Sequence, residues 1–408
     1  MRGKWAEGQL DDRGTAIHTR RTLLATGLAV VVAACGLAGA DATGAAAGAA
    51  PGAAKGPGTP LTLGANTFGQ LGDGSALSTV RASAGPVRRL RTAVDIAGGR
   101  EHVLALMADG TVRAWGSNAK GQLGDGTTTQ HNTPVVVRGL SHVVQVATGH
   151  YHSMVVRRNG TAWVWGYNGL GQLGDGTTAN RKRPKRYGRF TDVVEAAGGR
   201  DMSFVLRANG TVWCSGSNQN GECGDGTTVR RTSPVRVRSL PRVVDIAGGR
   251  NHALALDARG RVWAWGLNSS GQLGLGTTRT RTLPRRIPGL THVVDVAAGA
   301  EHSVAILADG RVRAWGENSR GELGLGTTAD RRSPVAVSGI TNAVLAECGR
   351  DQTIVITARG SVYLWGWNNN GQAGDPSLAD VLRPRRLRGV SNAEDAGGGQ
   401  AYTVVLER

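Results

Sequence analysis

Short apolar runs broken by glycine and turn residues recur along the whole chain, and none of them settles into the 3.6-residue period of an amphipathic helix. The stretch from Val94 to Val143 shows one full cycle of the pattern. It opens with Asp95-Ile96-Ala97-Gly98-Gly99-Arg100-Glu101-His102 and stays apolar through Leu104 and Leu106. Asp109-Gly110 follows, a pair that predicts a two-residue hairpin turn with positive φ at both central residues. Asn159-Gly160, Asn209-Gly210 and Asp309-Gly310 stand at the same place in later cycles, whereas Arg259-Gly260 and Arg359-Gly360 depart from the best turn pair. Thr111 to Gly116 then reads as a short strand, Asn118 with Gly121 to Gly126 as a Gly-rich turn, and Pro134 to Arg138 as a closing strand.

The cycle has a fixed length of 50 residues. Trp115-Gly116-Ser117-Asn118 returns at Trp165, Ser215, Trp265, Trp315 and Trp365, the third copy carrying Ser for Trp. A repeat of this size cannot bury its apolar face alone, so each unit must pack on the next, and the tryptophans read as core between units. The closing strand carries Pro134, Pro184, Pro234, Pro284, Pro334 and Pro384. A proline gives no donor to a sheet ladder, which places this strand at an outer edge or puts the proline first in it. Alternation such as Val235-Arg236-Val237-Arg238 suits an edge facing water. Three or four strands with one guarded edge describe a propeller blade.

The termini predict closure. Gly399-Gln400-Ala401-Tyr402 begins a seventh copy that stops at Arg408, while Leu63-Gly64-Ala65-Asn66 and Gly69 to Gly74 match Trp115 through Gly126. Pairing the two half-repeats in one blade latches a ring. The expected fold is therefore all-β, a seven-bladed β-propeller over residues 60–408, closed by its N- and C-terminal halves.

Composition adds context. The 63 glycines and the 4% aromatic content agree with a turn-rich β protein, and a net charge of +18 biases partners toward anionic surfaces. Four cysteines are too few for a disulfide framework. Arg20-Arg21 precedes an uncharged stretch from Thr22 to Ala40, so residues 1–34 read as an export signal. Thr19-Arg20-Arg21-Thr22-Leu23-Leu24 resembles a twin-arginine signal, and Val32-Ala33-Ala34-Cys35 resembles a lipobox with Cys35 as the lipid attachment point. Cleavage after Ala38-Gly39-Ala40 and an uncleaved anchor are the alternatives, and all three place the body outside the cytoplasm. Residues 35–59 are rich in Ala, Gly and Pro and read as a tether.

The Trp-Gly-x-Asn-x-x-Gly-Gln-Leu-Gly cassette resembles the regulator of chromosome condensation repeat. So does the small-residue pair followed by Gly-x-x-His, whole in Val146 to Val156, Ile246 to Leu256 and Val296 to Ile306. The resemblance covers about 350 residues and implies a seven-bladed propeller. The family's founding member is a nuclear exchange factor for a small GTPase that also binds chromatin, through loops that depart from the repeat. Here no insertion exceeds two residues, between Gly74 and Gly99, so no wedge-like loop is evident. A secreted relative inhibits β-lactamases by covering them with one ring face, which implies a rigid protein-binding face.

Residues common to every copy are structural candidates, so chemistry is sought where copies differ. His102, His152, His252 and His302 share one position with Met202, Gln352 and Tyr402, and read as structural hydrogen-bonding groups rather than metal ligands. Asp73, Asp125, Asp175 and Asp225 read as turn residues, since Leu275 and Leu325 replace them elsewhere. No nucleophile, Walker or zinc-protease motif is present, so no enzyme, cofactor or metal is expected. The position two after each Trp varies as Ser117, Tyr167, Ser217, Leu267, Glu317 and Trp367. Tyr167, Leu267 and Trp367 are candidate contacts there, unless they pack on their own blades. Arg100, Arg200, Arg250 and Arg350, in the varying pair of Gly-x-x-His, are further candidate partner contacts; if they ring a channel mouth, they either bind an anion or neutralise themselves by pairing with the acids alongside.

A basic rim follows the closing strands: Arg181, Lys182, Arg183, Lys185, Arg186, Arg236, Arg238, Arg385, Arg386 and Arg388. Such a rim attracts polyanions, among them wall polymers and nucleic acid. Cys214 and Cys223 share one blade and would bridge in an oxidising compartment if geometry allows. Together these features predict an exported, surface-tethered, monomeric scaffold that binds a protein partner through one ring face and meets the membrane only through its N-terminal anchor. A polyanion or cell-wall binder is the alternative, and a wall-modifying enzyme with a channel-mouth site the third possibility.

Overall fold

Each 50-residue cycle folds into one antiparallel four-stranded sheet, in chain order from the ring axis outward. In the first blade the strands are Ala93–Gly98, His102–Met107, Val112–Gly116 and His131–Val136. Five more blades repeat this arrangement as far as Val381–Arg386. The computed structural model describes residues 57–408, which contain no helix. The export signal, Cys35 and all but the last three residues of the tether lie outside them. The first strand starts at Thr59, one residue before the sequence-based boundary.

The seventh blade is built from both ends of the chain. Ala393–Gly398 and Tyr402–Glu407 supply its two inner strands, and Thr59–Ala65 and Val80–Pro86 its two outer ones. Thr59 to Gly64 pair in continuous register with Glu407 to Tyr402. The innermost strand of this blade touches that of the first, Ala93–Gly98, which closes the ring. Closure removes the open face that a linear array of blades would leave to solvent.

The core lies between blades. Leu254, Leu256 and Ala264 of the fourth blade pack against Val293, Val296, Ala305 and Trp315 of the fifth, all buried. Trp115, Trp165, Trp265, Trp315 and Trp365 are fully buried, and each indole N–H donates to a carbonyl one blade back: Gln70, Gln122, Glu222, Gln272 and Glu322, at 2.7–3.0 Å. Where Ser215 replaces Trp, Tyr187 enters the vacated volume and donates to the Ser215 Oγ at 2.9 Å. Ser215 in turn donates to the Gln172 carbonyl at 3.1 Å, so the same bond to the neighbouring blade is kept.

Acids on the innermost strands stitch blades together without a backbone ladder. Asp95 accepts from the Val146 amide at 2.9 Å, and Asp395 accepts from the Ile96 amide at 3.0 Å across the closure. The buried histidines complete the layer: His102, His152, His252 and His302 bond through Nε2 to Ser153, Ser203, Ser303 and Thr353 of the next blade at 2.9–3.1 Å. Each hydroxyl of Ser153, Ser303 and Thr353 passes the bond on to a cassette carbonyl.

One expectation is corrected. At Asp109-Gly110 only the glycine has positive φ, and the hairpin closes with Met107 N–H donating to Thr111 O. The loop thus has three residues with glycine at its left-handed position, not two. Asp109 needs no special backbone, and its carboxylate accepts from the Thr111 amide and hydroxyl instead. That explains why Arg259 and Arg359 are accepted at the same place. The prolines do lie in the outermost strands, where the pairing register shifts around them.

Candidate functional site

The turn between the first and second strands of every blade ends at the ring axis. There the backbone closes a circle: Arg100 N–H donates to His150 O, His150 to Arg200, Arg200 to Gly249, Arg250 to Gly299, Ala300 to Arg350, Arg350 to Gly399, and Gln400 to Arg100. Each of the seven turns is thereby tied to the next, and the mouth is a fixed frame. Four of its seven ring positions are arginine: Arg100, Arg200, Arg250 and Arg350.

Each of these arginines has an acidic neighbour. Arg100 lies 3.4 Å from Glu101, Arg200 3.1 Å from Asp201, Arg350 3.2 Å from Asp351, and Arg250 4.0 Å from Glu301. Arg100 also bonds Gln400 across the ring closure. The local pairing expected from the sequence therefore holds in the geometry. His150 is the exception at this mouth: burial, then Arg100, Arg200 and Arg250, holds its imidazole down to about 3. The structural histidines His102 and His252 are likewise held to about 3, and His152 and His302 to about 4, with burial as the leading cause.

The second set of varying positions joins the first. Amides of Ser117, Tyr167, Ser217, Leu267, Glu317 and Trp367 donate to the carbonyls of Glu101, Tyr151, Asp201, Asn251, Glu301 and Asp351, all at 2.7–2.8 Å. Both kinds of disagreement between copies therefore sit on one end of the ring. Between the first two blades they form a continuous cation–aromatic patch. Arg100 stacks 5.1 Å from the Tyr151 ring, Tyr151 meets Tyr167 edge-on at 6.5 Å, and Lys120 lies 5.8 Å from the Tyr167 ring. Tyr151 and Lys120 were not singled out as contacts from the sequence. Their signal was present only in three dimensions, because 16 positions separate Tyr151 from Tyr167 and the two meet across a hairpin.

Tyr167, Leu267 and Trp367 are half-buried. Tyr167 folds its hydroxyl over Gly169, where no side chain would fit. Trp367 buries its indole nitrogen, which has no hydrogen-bond partner among the described residues. The rings thus lean on their own blades while keeping part of their surface open. Leu267 and Trp367 lie on the fourth and sixth blades, away from the Tyr151–Tyr167 patch but on the same ring face.

The basic rim is a separate region, on the outermost strands of the second, third and sixth blades. Its first members have structural partners. Asp175 receives two bonds from Arg181, at 2.9 and 2.7 Å, and one from Lys185 at 3.2 Å. Burial works against that carboxylate's charge, but the bonds from Thr177, Arg181 and Lys185 outweigh it and hold it well below the usual range. Arg231 with Asp225, His131 with Asp125 and Arg385 with Asp375 repeat the arrangement. The cassette aspartates are thus turn residues that also anchor the outer strand. Lys182, Arg183, Lys185, Arg186, Arg236, Arg238, Arg385, Arg386 and Arg388 are exposed.

Cys214 and Cys223 form a disulfide, with Cα atoms 5.2 Å apart, inside the buried layer between the third and fourth blades. The cassette turn between them brings the two residues together.

Seven four-stranded blades, an interrupted seventh copy and a His–Ser relay between neighbours define a propeller of one particular repeat class. The chain belongs to the RCC1-like domain family, which matches residues 59–405. Among solved structures it is similar to Prp20p from Saccharomyces cerevisiae, described with its binding to Gsp1p and histones. The TM-score is 0.78 at 23% identity, over 86% of this chain and 92% of that one. Human WBSCR16 gives 0.74 at 26% identity, over 86% of this chain and 99% of that one. Yeast RCC1 (Prp20) bound to Kap60 matches with a TM-score of 0.78 at 23% identity, over 86% of this chain and 89% of that one.

Proposed function

We propose that this chain is an exported propeller scaffold, tethered to the cell surface, that binds a protein partner through the ring face carrying its varying residues. The observation that carries this reading is the convergence of both varying sets on one rigid end. Arg100, Arg200, Arg250 and Arg350 frame its centre, with Tyr167, Leu267 and Trp367 around them. Aromatic and arginine side chains are the residues that most often dominate protein contacts, and a frame fixed by a closed circle of backbone bonds loses little entropy on binding. The protein partners named for the yeast relative, Gsp1p, histones and Kap60, support a protein-binding use of this fold. This reading is of a scaffold rather than a catalyst, and it is supported by the engagement of the mouth arginines by neighbouring carboxylates.

A second reading draws on the rim. No ion pair to Lys182, Arg183, Arg236, Arg238, Arg386 or Arg388 occurs among the described residues, which leaves them to solvent and to any polyanion, such as a phosphate-bearing wall polymer or nucleic acid. Salt separates the two. The full chain is bound to cell-envelope preparations and washed with molar salt. Retention supports the protein face, and complete release, followed by competition with a soluble polyanion, supports the rim. Mass spectrometry of the mature N-terminus tests the tether: a diacylated Cys35 is expected, and an N-terminus beyond Ala40 contradicts it.

A further inference from the structure

Every junction between blades brings three positions together: the residue two past the cassette Trp, the cassette Gln or Glu five residues later, and the second varying residue of the next blade. Gln122 donates to Ser117 Oγ at 3.3 Å in one junction, and Gln172 donates to Asp201 at 3.5 Å in the following one. In six junctions at most one of the three positions is a carboxylate. Between the fifth and sixth blades all three are acids, Glu317, Glu322 and Asp351, whose oxygens lie within 4.8 Å of one another.

The buried member is incompletely bonded. Glu322 is 1% exposed. Its Oε2 accepts the Arg320 amide at 2.9 Å, as Gln122 Oε1 accepts the Lys120 amide. Its Oε1 therefore stands where the Gln122 and Gln172 amide nitrogens stand, aimed at positions 317 and 351, and it has no hydrogen-bond partner among the described residues. Glu222, the other glutamate at this position, avoids that state because Asn220 donates to its Oε1 at 2.9 Å. Arg320 replaces that asparagine and turns its guanidinium to Asp380 at 3.4 Å. The other two acids are only partly engaged: Ser319 donates to Glu317 at 3.1 Å, and Arg350 lies 3.2 Å from Asp351.

We propose that Glu317, Glu322 and Asp351 form a binding site for a divalent cation of the calcium type. A cation supplies the missing partner of Glu322 and offsets the repulsion among three closely spaced, partly to fully buried carboxylates. The donors are all hard oxygens, without imidazole or thiolate, which favours calcium or magnesium over zinc or copper. Calcium accepts irregular oxygen sets and takes six to eight ligands, so water on the open side of Glu317 and Asp351 completes the shell. Burial first, then neighbouring acids, raises Glu322 to about 7 and moves Glu317 and Asp351 in the same direction, while Arg350, Arg250 and Arg320 pull Asp351 back.

The test uses the chelator-treated full chain at pH 8, titrated calorimetrically with calcium and, separately, with terbium while tryptophan is excited. Trp367, whose amide bonds the Asp351 carbonyl, is the nearby sensitiser. One equivalent of calcium is expected. The variant E322Q, which installs the residue found at 122, 172, 272 and 372, should bind at least about tenfold more weakly. The triple variant E317S/E322Q/D351N uses only residues the chain itself carries at equivalent positions, at 117, 122 and 251, and should lose the terbium signal with an unchanged melting midpoint in chelator. Asp201→Asn, an acid at another junction, should leave binding intact. Absence of calcium binding by the wild-type chain up to about 10 mM, or retention of binding in the triple variant, overturns the proposal.

Discussion

Two places in this ring break the repeat, with opposite consequences. At the junction of the second and third blades Ser215 replaces the cassette tryptophan, and the fold answers with Tyr187, which fills the space and keeps the bond to the preceding blade. At the axial mouth Tyr167, Leu267 and Trp367 depart from Ser117 and Ser217; Gly169 makes room for the Tyr167 hydroxyl, yet all three side chains stay half-exposed. A departure that the interior corrects belongs to stability. A departure that stays half-open on one face is where selection for a partner would act. The distinction rests on what surrounds a residue, which its degree of variation alone does not reveal.

Breaking the interior should cost the most. Trp265→Ala empties a fully buried site and is expected to lose about 3–5 kcal/mol in denaturant unfolding. Tyr187→Val, which installs the residue found at 137, 237 and 337, should lose about 2–4 kcal/mol because Ser215 leaves the cavity unfilled. Adding Ser215→Trp to Tyr187→Val rebuilds the common junction, so the double variant should recover most of that loss. If the two changes add independently, the compensation argument fails.

The disulfide is a second interior correction, with cysteine at both 214 and 223 where the other five complete copies hold Ala, Val or Leu. Replacing the pair by Cys214→Ala and Cys223→Leu should cost about 2–3 kcal/mol relative to the oxidised protein. The same variant should match the reduced wild-type chain.

Acid sharpens the comparison further. The buried histidines have folded values of about 3 to 4 against an ordinary 6.5, so native protein binds fewer protons than unfolded chain between them. Their contribution is present above pH 6.5 and is lost as pH falls toward 4, and melting midpoints should drop across that window. Glu322, raised to about 7, works in the opposite direction over part of it. A single variant isolates the sign: His152→Gln, which copies Gln352 at the same repeat position, should flatten the decline.

Much of the ring was legible because repetition amplifies weak signals. Six prolines at one spacing marked the outer edge, and the half-copies at Leu63 and Gly399 marked the closure. The turn at Asp109-Gly110 was misjudged because two- and three-residue hairpins share the same Asp-Gly signature. Tyr187 left a trace, the one aromatic at a position that holds Val, Ile or Leu at 137, 237, 287, 337 and 387, but its link to Ser215 spans two blades. The Glu317–Glu322–Asp351 cluster was invisible for a similar reason, since Asp351 meets the others only where neighbouring blades touch. The candidate face was legible as two sets of varying residues; their union on one mouth required the fold.

The paired behaviour of one double variant tests the central claim most directly. Tyr167→Ala/Trp367→Ala is measured for unfolding free energy and for retention of protein from native cell-envelope extract, alongside the Tyr187→Val/Ser215→Trp protein. The account predicts that the face variant loses retention by about tenfold or more while its stability changes by no more than about 1–2 kcal/mol, and that the junction variant keeps retention. Unchanged retention in the face variant would contradict it.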